Sequence, residues 1–477
     1  MLVFFCGFDS MEWKGSKEML LDDTIVAIST PPGIGGIGVI RVSGKEAVGI
    51  VDKMFKAANK KSLLDIDTHT ITYGHIVSGD RIIDEVLVML MRAPRTFTRE
   101  DVVEINCHGG PVPLNAVLME AVKNGARMAE PGEFTKRAFI NGRIDLSQVE
   151  AVMDIIDAKT DTALNQAVGQ LEGNLSRKIK EYQDKLINII ARIEVSIDYP
   201  EYDQDEPITD DFDQELKLLL DELRALLKTA DTGKLIREGV KTAIVGRPNV
   251  GKSSILNALL EENKAIVTDI PGTTRDIVEA YLNIDGMLYQ LLDTAGIRET
   301  EDVVEKIGVD RSKKSIDEAD LVLMVLDQNS GIGDKDIEIL EAIKNKEVIY
   351  IFNKTDLENN IAEADFIKYI ADGTVVNLSA KNNEGLDALR DAMKDKVLVQ
   401  NISSQNQEVI SNQRQKQALI NAIASLEKVV EAIDLGLPED CLAIDLHDSY
   451  GHLGMIVGES LKDEIINELF SRFCLGK

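Results

Sequence analysis

The stretch GRPNVGKS, Gly246–Ser253, follows the β-type run KTAIVG and precedes the helical run SILNALL. A strand that turns through glycines into a helix leaves backbone N–H groups to curl around a phosphate, at the positive end of the helix. Within it Lys252 supplies charge for the β and γ oxygens and Ser253 a hydroxyl for Mg²⁺, while Asn249, Val250, Gly251 and Ser254 complete the nucleotide-binding loop. This strand-loop-helix start belongs to a doubly wound α/β unit, and the sequence downstream keeps that texture. The runs KTAIVG, LVLMVLD, EVIYIFN and TVVNLSA alternate with helical stretches from Lys241 to about Lys396.

The remaining elements follow in the order a GTPase needs. Asp293, Thr294, Ala295 and Gly296 end a second strand, where the aspartate holds Mg²⁺ through water and the Gly296 amide meets the γ-phosphate. Thr273 and Thr274 lie in PGTTRD, and Thr274 is placed to join Ser253 on Mg²⁺ when the γ-phosphate is present. Asn353-Lys354-Thr355-Asp356 follows EVIYIF, and Ser379-Ala380-Lys381 follows TVVNL. The two carboxylate oxygens of Asp356 match the paired N–H donors of guanine, and adenine offers no such pair, so the expected substrate is GTP. Many small GTPases carry a water-orienting glutamine after the DTAG segment; here that position is Ile297, which cannot hold water. Two replacements are visible. Asn249 with backbone carbonyls of Thr268 to Thr274 can hold a monovalent cation beside the phosphates, and Glu305 can position the water, its plain alternative being an exposed helix carboxylate.

Outside this unit the texture changes. From Thr24 to about Gly142, the strand-like runs TIVAIST, GVIRVSG, HTITYGHIV, EVLVMLM and DVVEINC mix with helical stretches at Glu46 to Phe55 and Leu114 to Lys123, an α+β domain. From Asp145 the period is helical: Leu175, Ile179, Tyr182, Leu186, Ile190, Ile193 and Ile197 share one face of a long helix that stops at Tyr199-Pro200. Asp198 to Glu215 hold nine acidic residues and no Lys or Arg, which reads as a solvated linker, and a helix follows through Leu216, Leu219, Leu223 and Leu226. Leu419, Ile423, Leu426, Val430 and Ile433 form a later stripe, and Leu461, Ile465 and Leu469 another. The expected organisation is an N-terminal extension (1–22), an α+β domain (23–143), a helical domain in two parts (144–236 and 399–477) and, inserted into it, a Ras-like P-loop G domain (237–398). Separate small helical domains are the alternative.

Charge and cysteine content exclude other classes. With 53 Lys and Arg against 82 Asp and Glu, the net charge is −29, which repels phosphate polymers at long range and argues against a general DNA or RNA coater. Cys6, Cys107, Cys441 and Cys474 contain no CxxC pair, so neither a zinc site nor a disulfide framework is indicated. The apolar run MLVFFCGF is too short to span a bilayer and soon meets Asp9 and Glu12. The expectation is a cytoplasmic protein with no membrane association, with Met11 and Met19 as alternative starts.

Several segments go beyond the nucleotide motifs: TPPGIGGIGVIRVSG (Thr30 to Gly44), FTREDVVEINCHGGP (Phe97 to Pro111), RMAEPGEFTKRAFINGRIDLSQVEAVMDII (Arg127 to Ile156) and the terminal CLGK. With GRPNVGKSS, TDIPGTTRD and DTAGIRET, they make residues 23 to 477 resemble the tRNA-modification GTPases of the MnmE or TrmE family. The resemblance implies a GTP hydrolase that works with the FAD-carrying flavoprotein MnmG (GidA) in a heterotetramer. Together they add a (carboxymethyl)aminomethyl group to C5 of the wobble uridine of certain tRNAs. It further implies an N-terminal domain that forms the homodimer and binds a tetrahydrofolate, as the 5,10-methylene or 5-formyl derivative, for the one-carbon unit. Arg41, Glu104, Arg143 and Lys477 fall at folate-contact positions, with Arg143 standing where some members have lysine. Read from the residues alone, Arg41 and Glu104 are equally a surface ion pair. The family's K⁺ site corresponds to Asn249, Thr268, Ile270 and Thr273, and its water-positioning acid to Glu305.

The same resemblance puts the tail beside the folate. A thiol has an ordinary pKa of about 8.5, and Lys477 would bias that of Cys474 toward the nucleophilic thiolate, to assist one-carbon transfer or carry an adduct. The alternative is a buried structural thiol. Lys252, Glu305 and Cys474 are therefore the expected catalytic residues. The competing function is a regulatory GTPase switch in ribosome assembly or stress response, which needs no folate site.

Overall fold

The computed structural model describes residues 23–198, 209–262, 280–292, 314–357, 370, 373–398, 408–459, 463–471, 473–474 and 476–477. They form two compact units, one made of the chain up to Met153 with Val457–Lys477, the other of Asp154–Ile456.

In the first unit, β1 (Ile25–Ile28), β2 (Ile37–Ser43), β3 (Phe55–Ala57), β4 (Thr70–Ser78), β5 (Arg81–Met91), β6 (Val102–His108) and β7 (Arg127–Met128) make a seven-stranded sheet, ordered β3-β4-β5-β6-β2-β1-β7. Neighbours are antiparallel except β1 and β7. Because side chains alternate along a strand, Ile40, Val42, Val88, Leu90, Val103 and Ile105 bury one face against the helices Ala47–Met54 and Pro111–Lys123. The other face carries a row through Ile71, Met89, Glu104, Arg41 and Ala27, register partners in turn. On that face Ile71, Tyr73 and Leu87 are exposed.

The sequence reading missed β3 and β7, both too short to show alternation, and began the second helix three residues late. Pro111 is a comfortable first helical residue because its missing N–H would be unpaired there anyway. By compactness the terminal helix Asp463–Ser471 groups with this unit. Ile466, Phe470 and Phe473 bury their apolar surface with Ala138, Ile144, Leu146 and Val149. Nearby Arg137, 2% exposed, binds Asp23, Glu100 and Glu133.

In the second unit, β8 (Val240–Val245), β9 (Ala280–Ile284), β10 (Met287–Leu292), β11 (Leu321–Asp327), β12 (Glu347–Asn353) and β13 (Thr374–Leu378) form a six-stranded sheet, ordered β13-β12-β11-β8-β10-β9. All neighbours are parallel except the β9–β10 hairpin. That hairpin turns at Asp285-Gly286, at φ 49° and 86°, and this Asp-Gly pair was the signal for β9 that the sequence reading passed over. The long amphipathic helix is present as Asn174–Asp198. The expected acidic linker is only partly a linker, because the next helix begins at Thr209 and takes in Asp210, Asp211, Asp213 and Glu215. This helix, Thr209–Glu238, pairs with Gln413–Asp434 through Arg224–Glu427 and Lys416–Asp231, each at 2.7 Å. Among the described residues no helix is long and apolar enough to cross a membrane.

Candidate functional site

The phosphate loop joins β8 to the helix Lys252–Glu262. Gly246 takes φ 148° and Gly251 φ 101°, and a Cβ on Gly251 would lie 2.1 Å from Asn353 Nδ2. Only glycine fits that backbone and that approach. Asn249 is exposed and holds a left-handed φ of 63°, while Val250 is buried and anchors the loop. Lys252 Nζ donates to the carbonyl oxygens of Gly246 and Arg247, each at 2.8 Å, so the ammonium is already curled over its own loop. Burial pushes its pKa below the ordinary lysine value, against a smaller opposing pull from Asp336. Ser253 and Ser254, in the first turn, are exposed. A hydroxyl there is the right donor type for Mg²⁺, a hard cation that prefers oxygen.

The loops expected to bind the base converge on the same place because parallel strands end together. Asn353, 2% exposed at the end of β12, donates from Nδ2 to the Val250 carbonyl at 2.8 Å and accepts the Ala380 N–H through Oδ1 at 3.1 Å. One side chain thus ties the phosphate loop to the Ser379-Ala380-Lys381 turn. Ser379 donates its hydroxyl to Asp356 Oδ1 at 2.8 Å, and Lys381 is exposed. Lys354 Nζ pairs with Asp327 Oδ2 at 2.7 Å. Asp327 was not singled out from the sequence; its signal was a single charge closing the otherwise apolar strand LVLMVLD, in parallel register with Asn353. Thr268, Ile270, Thr273, Thr274, Asp293, Thr294, Ala295, Gly296 and Glu305 lie outside the described residues.

The first unit gathers a second set. Arg41 donates to Glu104 Oε1 from Nε at 2.9 Å, its Nη2 lies 2.8 Å from the same oxygen, and Nη1 reaches the Gly476 carbonyl at 3.2 Å. With side chains only 18% and 21% exposed, Arg41 and Glu104 are not an open surface pair. The Arg41 guanidinium lies 5.6 Å from the Phe97 ring and 5.7 Å from Phe134, and Arg143 lies 4.9 Å from Phe97. Burial, and then the charge of Arg99, lowers the pKa of Arg143. The tail is held here by backbone. The Gly476 carbonyl also accepts the Ser29 hydroxyl at 3.2 Å, and the Cys474 carbonyl accepts the Gly132 N–H at 3.4 Å. Gly476 sits at φ 87°, where a Cβ would lie 2.5 Å from the Ile28 carbonyl oxygen. Cys474 is exposed, at odds with a buried structural thiol, whereas the buried Cys107 has its thiol pKa pushed up to about 12 by desolvation. Phe97 and Phe134 were not named from sequence as site residues, since lone aromatics carry no spacing signal.

A family described as "GTP-binding protein TrmE N-terminus" matches residues 24–143, and one described as "MnmE helical domain" matches residues 146–474. The tRNA modification GTPase MnmE of Enterococcus faecalis is 50% identical over 464 residues, covering 95% of this chain and 98% of that protein. The protein of the same description from Listeria welshimeri is 51% identical over 456 residues, covering 95% and 99%. Among solved structures, Era of Aquifex aeolicus is 30% identical, covering 39% of this chain and 65% of its own, at a TM-score of 0.26, too low a likeness to carry the assignment. On the strength of the matched families and the near full-length identity, the chain belongs to the MnmE (TrmE) family of tRNA modification GTPases.

Proposed function

We propose that this GTPase acts with a flavoprotein of the MnmG type, which brings FAD, to build an aminomethyl-type group on C5 of a tRNA wobble uridine. In this reading a tetrahydrofolate derivative bound to the first unit supplies the one-carbon unit. The observation that carries it is the junction of Arg41, Glu104 and the Gly476 carbonyl, beside Phe97 and Arg143. The donor set suits a reduced folate: a carboxylate for the pterin N–H edge, arginines for the anionic tail, and an aromatic face. Arg41, Glu104, Arg143 and Lys477 would hold it. Exposed Cys474 is the group we assign to assist transfer.

At the other site, Asn353, Lys354, Asp356, Ser379, Ala380 and Lys381 would bind guanine, and Asn249, Val250, Gly251, Lys252, Ser253 and Ser254 the phosphates. Ser253 with Thr274 would hold Mg²⁺. Asn249 with Thr268, Ile270 and Thr273 would hold K⁺, and Glu305 would position the attacking water. The exposed apolar row Ile71, Tyr73 and Leu87 supports a homodimer formed through the first unit. The intervening G domain is read as an insertion into one helical domain, supported by the ion pairs between the helices that flank it in sequence. A cytoplasmic location follows from the tRNA substrate.

Calorimetric titration with 5-formyltetrahydrofolate tests the folate reading. Micromolar binding that Arg41→Ala weakens is the expected result, and no binding to the intact protein would overturn it.

A further inference from the structure

Just beyond β11 the chain touches both halves of the nucleotide site. Asp327 ends that strand, and its carboxylate accepts Lys354 Nζ at 2.7 Å through Oδ2 and the Asn329 backbone N–H at 3.0 Å through Oδ1. Asn329 in turn donates its side-chain amide to the Lys354 carbonyl at 3.3 Å. Lys354 is therefore held at both ends, with its backbone at φ 68°. A non-glycine residue keeps that conformation only where its surroundings impose it. Farther along the same segment, the Ser330 hydroxyl accepts from the Arg247 guanidinium of the phosphate loop, and buried Asp336 lies 3.6 Å from it. None of Asp327, Asn329, Ser330 and Asp336 belongs to a guanine or phosphate motif.

From this geometry we infer that Asp327 is a positioning residue for guanine recognition, fixing Lys354 and with it the loop that presents Asp356. The inference rests on reading Asp356 as the carboxylate that recognises the base. A lysine on a four-carbon stem is otherwise free to swing, and a charge-assisted hydrogen bond donated to a carboxylate only 12% exposed stops it. A loop ordered beforehand binds without the cost of ordering it. Burial alone would raise the pKa of Asp327, but Lys354 and the Asn329 N–H outweigh it and hold the carboxyl below its ordinary range, so it is charged at neutral pH.

The test is GDP affinity, by calorimetry on the full chain, for the wild type, Asp327→Asn, Asp327→Glu, Lys354→Met and the Asp327→Asn/Lys354→Met double variant. Loss of one charged hydrogen bond predicts about tenfold weaker GDP binding for Asp327→Asn. The double variant should bind no more weakly than Lys354→Met alone, because the first residue acts through the second. Asp327→Glu, which keeps the charge, should recover most of the loss. Wild-type affinity in Asp327→Asn, or losses that add in the double variant, overturns the inference. Should Asp327→Asn fail to fold, as judged by its melting curve, wild-type affinity in Lys354→Met overturns it instead. The base reading is tested apart from this by Asp356→Asn, whose amide should exchange a preference for GDP into one for xanthosine diphosphate. Retained guanine preference there contradicts the base reading and leaves the Asp327–Lys354 coupling as a separate result.

Discussion

The nucleotide site and the proposed folate site of this protein are assembled by opposite routes. In the unit Asp154–Ile456, the site is made of short segments that each close a parallel strand, and the sheet brings their ends together: β8 delivers the phosphate loop, β12 Asn353 and β13 Ser379. In the other unit, Arg41 meets a carbonyl 435 residues away, while Phe97 and Glu104 come from a second segment and Arg143 from a third. A phosphate is bound largely by backbone N–H groups, so its site must be written in consecutive residues. A flat organic ligand is bound by side chains on a sheet face, and these need no common stretch of sequence. The lesson is that a site's visibility in sequence follows from the chemistry of what it binds.

If the sites are separately built, single substitutions should damage one and spare the other. The largest effect expected is on the stability of the first unit. Arg137→Met would leave Glu133, Glu100 and Asp23 with carboxylates that have lost a buried partner, costing about 3–5 kcal/mol. Calorimetry should show the transition of that unit falling while the transition protected by GDP stays. The same network fixes a pH dependence. Burial raises the pKa of Glu133 and Asp23, but hydrogen bonds from Arg127 and Arg137 outweigh it and depress both. Folded pKa values below the unfolded ones mean a contribution present above about pH 4 to 5 and lost as pH falls through the folded values. Arg137→Met should flatten that acid limb.

Next in size is Lys252→Ala, which removes the ammonium now held on the Gly246 carbonyl and proposed to meet the phosphates, and should slow GTP hydrolysis by about 10²–10³-fold. The proposed folate binding should be unaffected, and its loss would show that the sites are not independent. Smaller is Gly476→Ala, which forces a side chain into a left-handed backbone position against the Ile28 carbonyl, at about 1–3 kcal/mol of tail docking. Folate affinity should drop by about tenfold while GTP hydrolysis by the chain alone stays put. A parallel fall in hydrolysis would break the comparison.

Legibility followed the same division. The strand-loop-helix around Gly246–Ser253 and the parallel strands β8, β11, β12 and β13 were all readable as apolar runs punctuated by motif residues, and so was the long stripe of Asn174–Asp198. The helices Glu133–Ile140, Asp161–Leu171 and Glu439–Val457 were not delimited from sequence. Glu133–Ile140 buries the charged Glu133 and Arg137, which hides an apolar period. Glu439–Val457 puts Ser449 at a buried position, bonded to the Ala422 carbonyl at 3.0 Å, and leaves Ile444 exposed, which blurs its apolar period. The junction of Arg41 with the tail was accessible only through the resemblance of whole segments, because no local pattern links residue 41 to residue 476. Asp327 was legible in principle, as a charge closing a buried strand, but its partner is known only once β11 and β12 are seen in register.

The most direct test is nucleoside mass spectrometry of tRNA from cells lacking this protein and from the same cells carrying the wild type, Lys252→Ala or Gly476→Ala. Two sites serving one reaction predict that the C5-aminomethyl-type wobble uridine disappears without the protein, returns with the wild type, and is diminished with either variant. Unchanged nucleosides in the deletion strain, with no second enzyme for the same step, would contradict that account and leave a GTPase switch in its place.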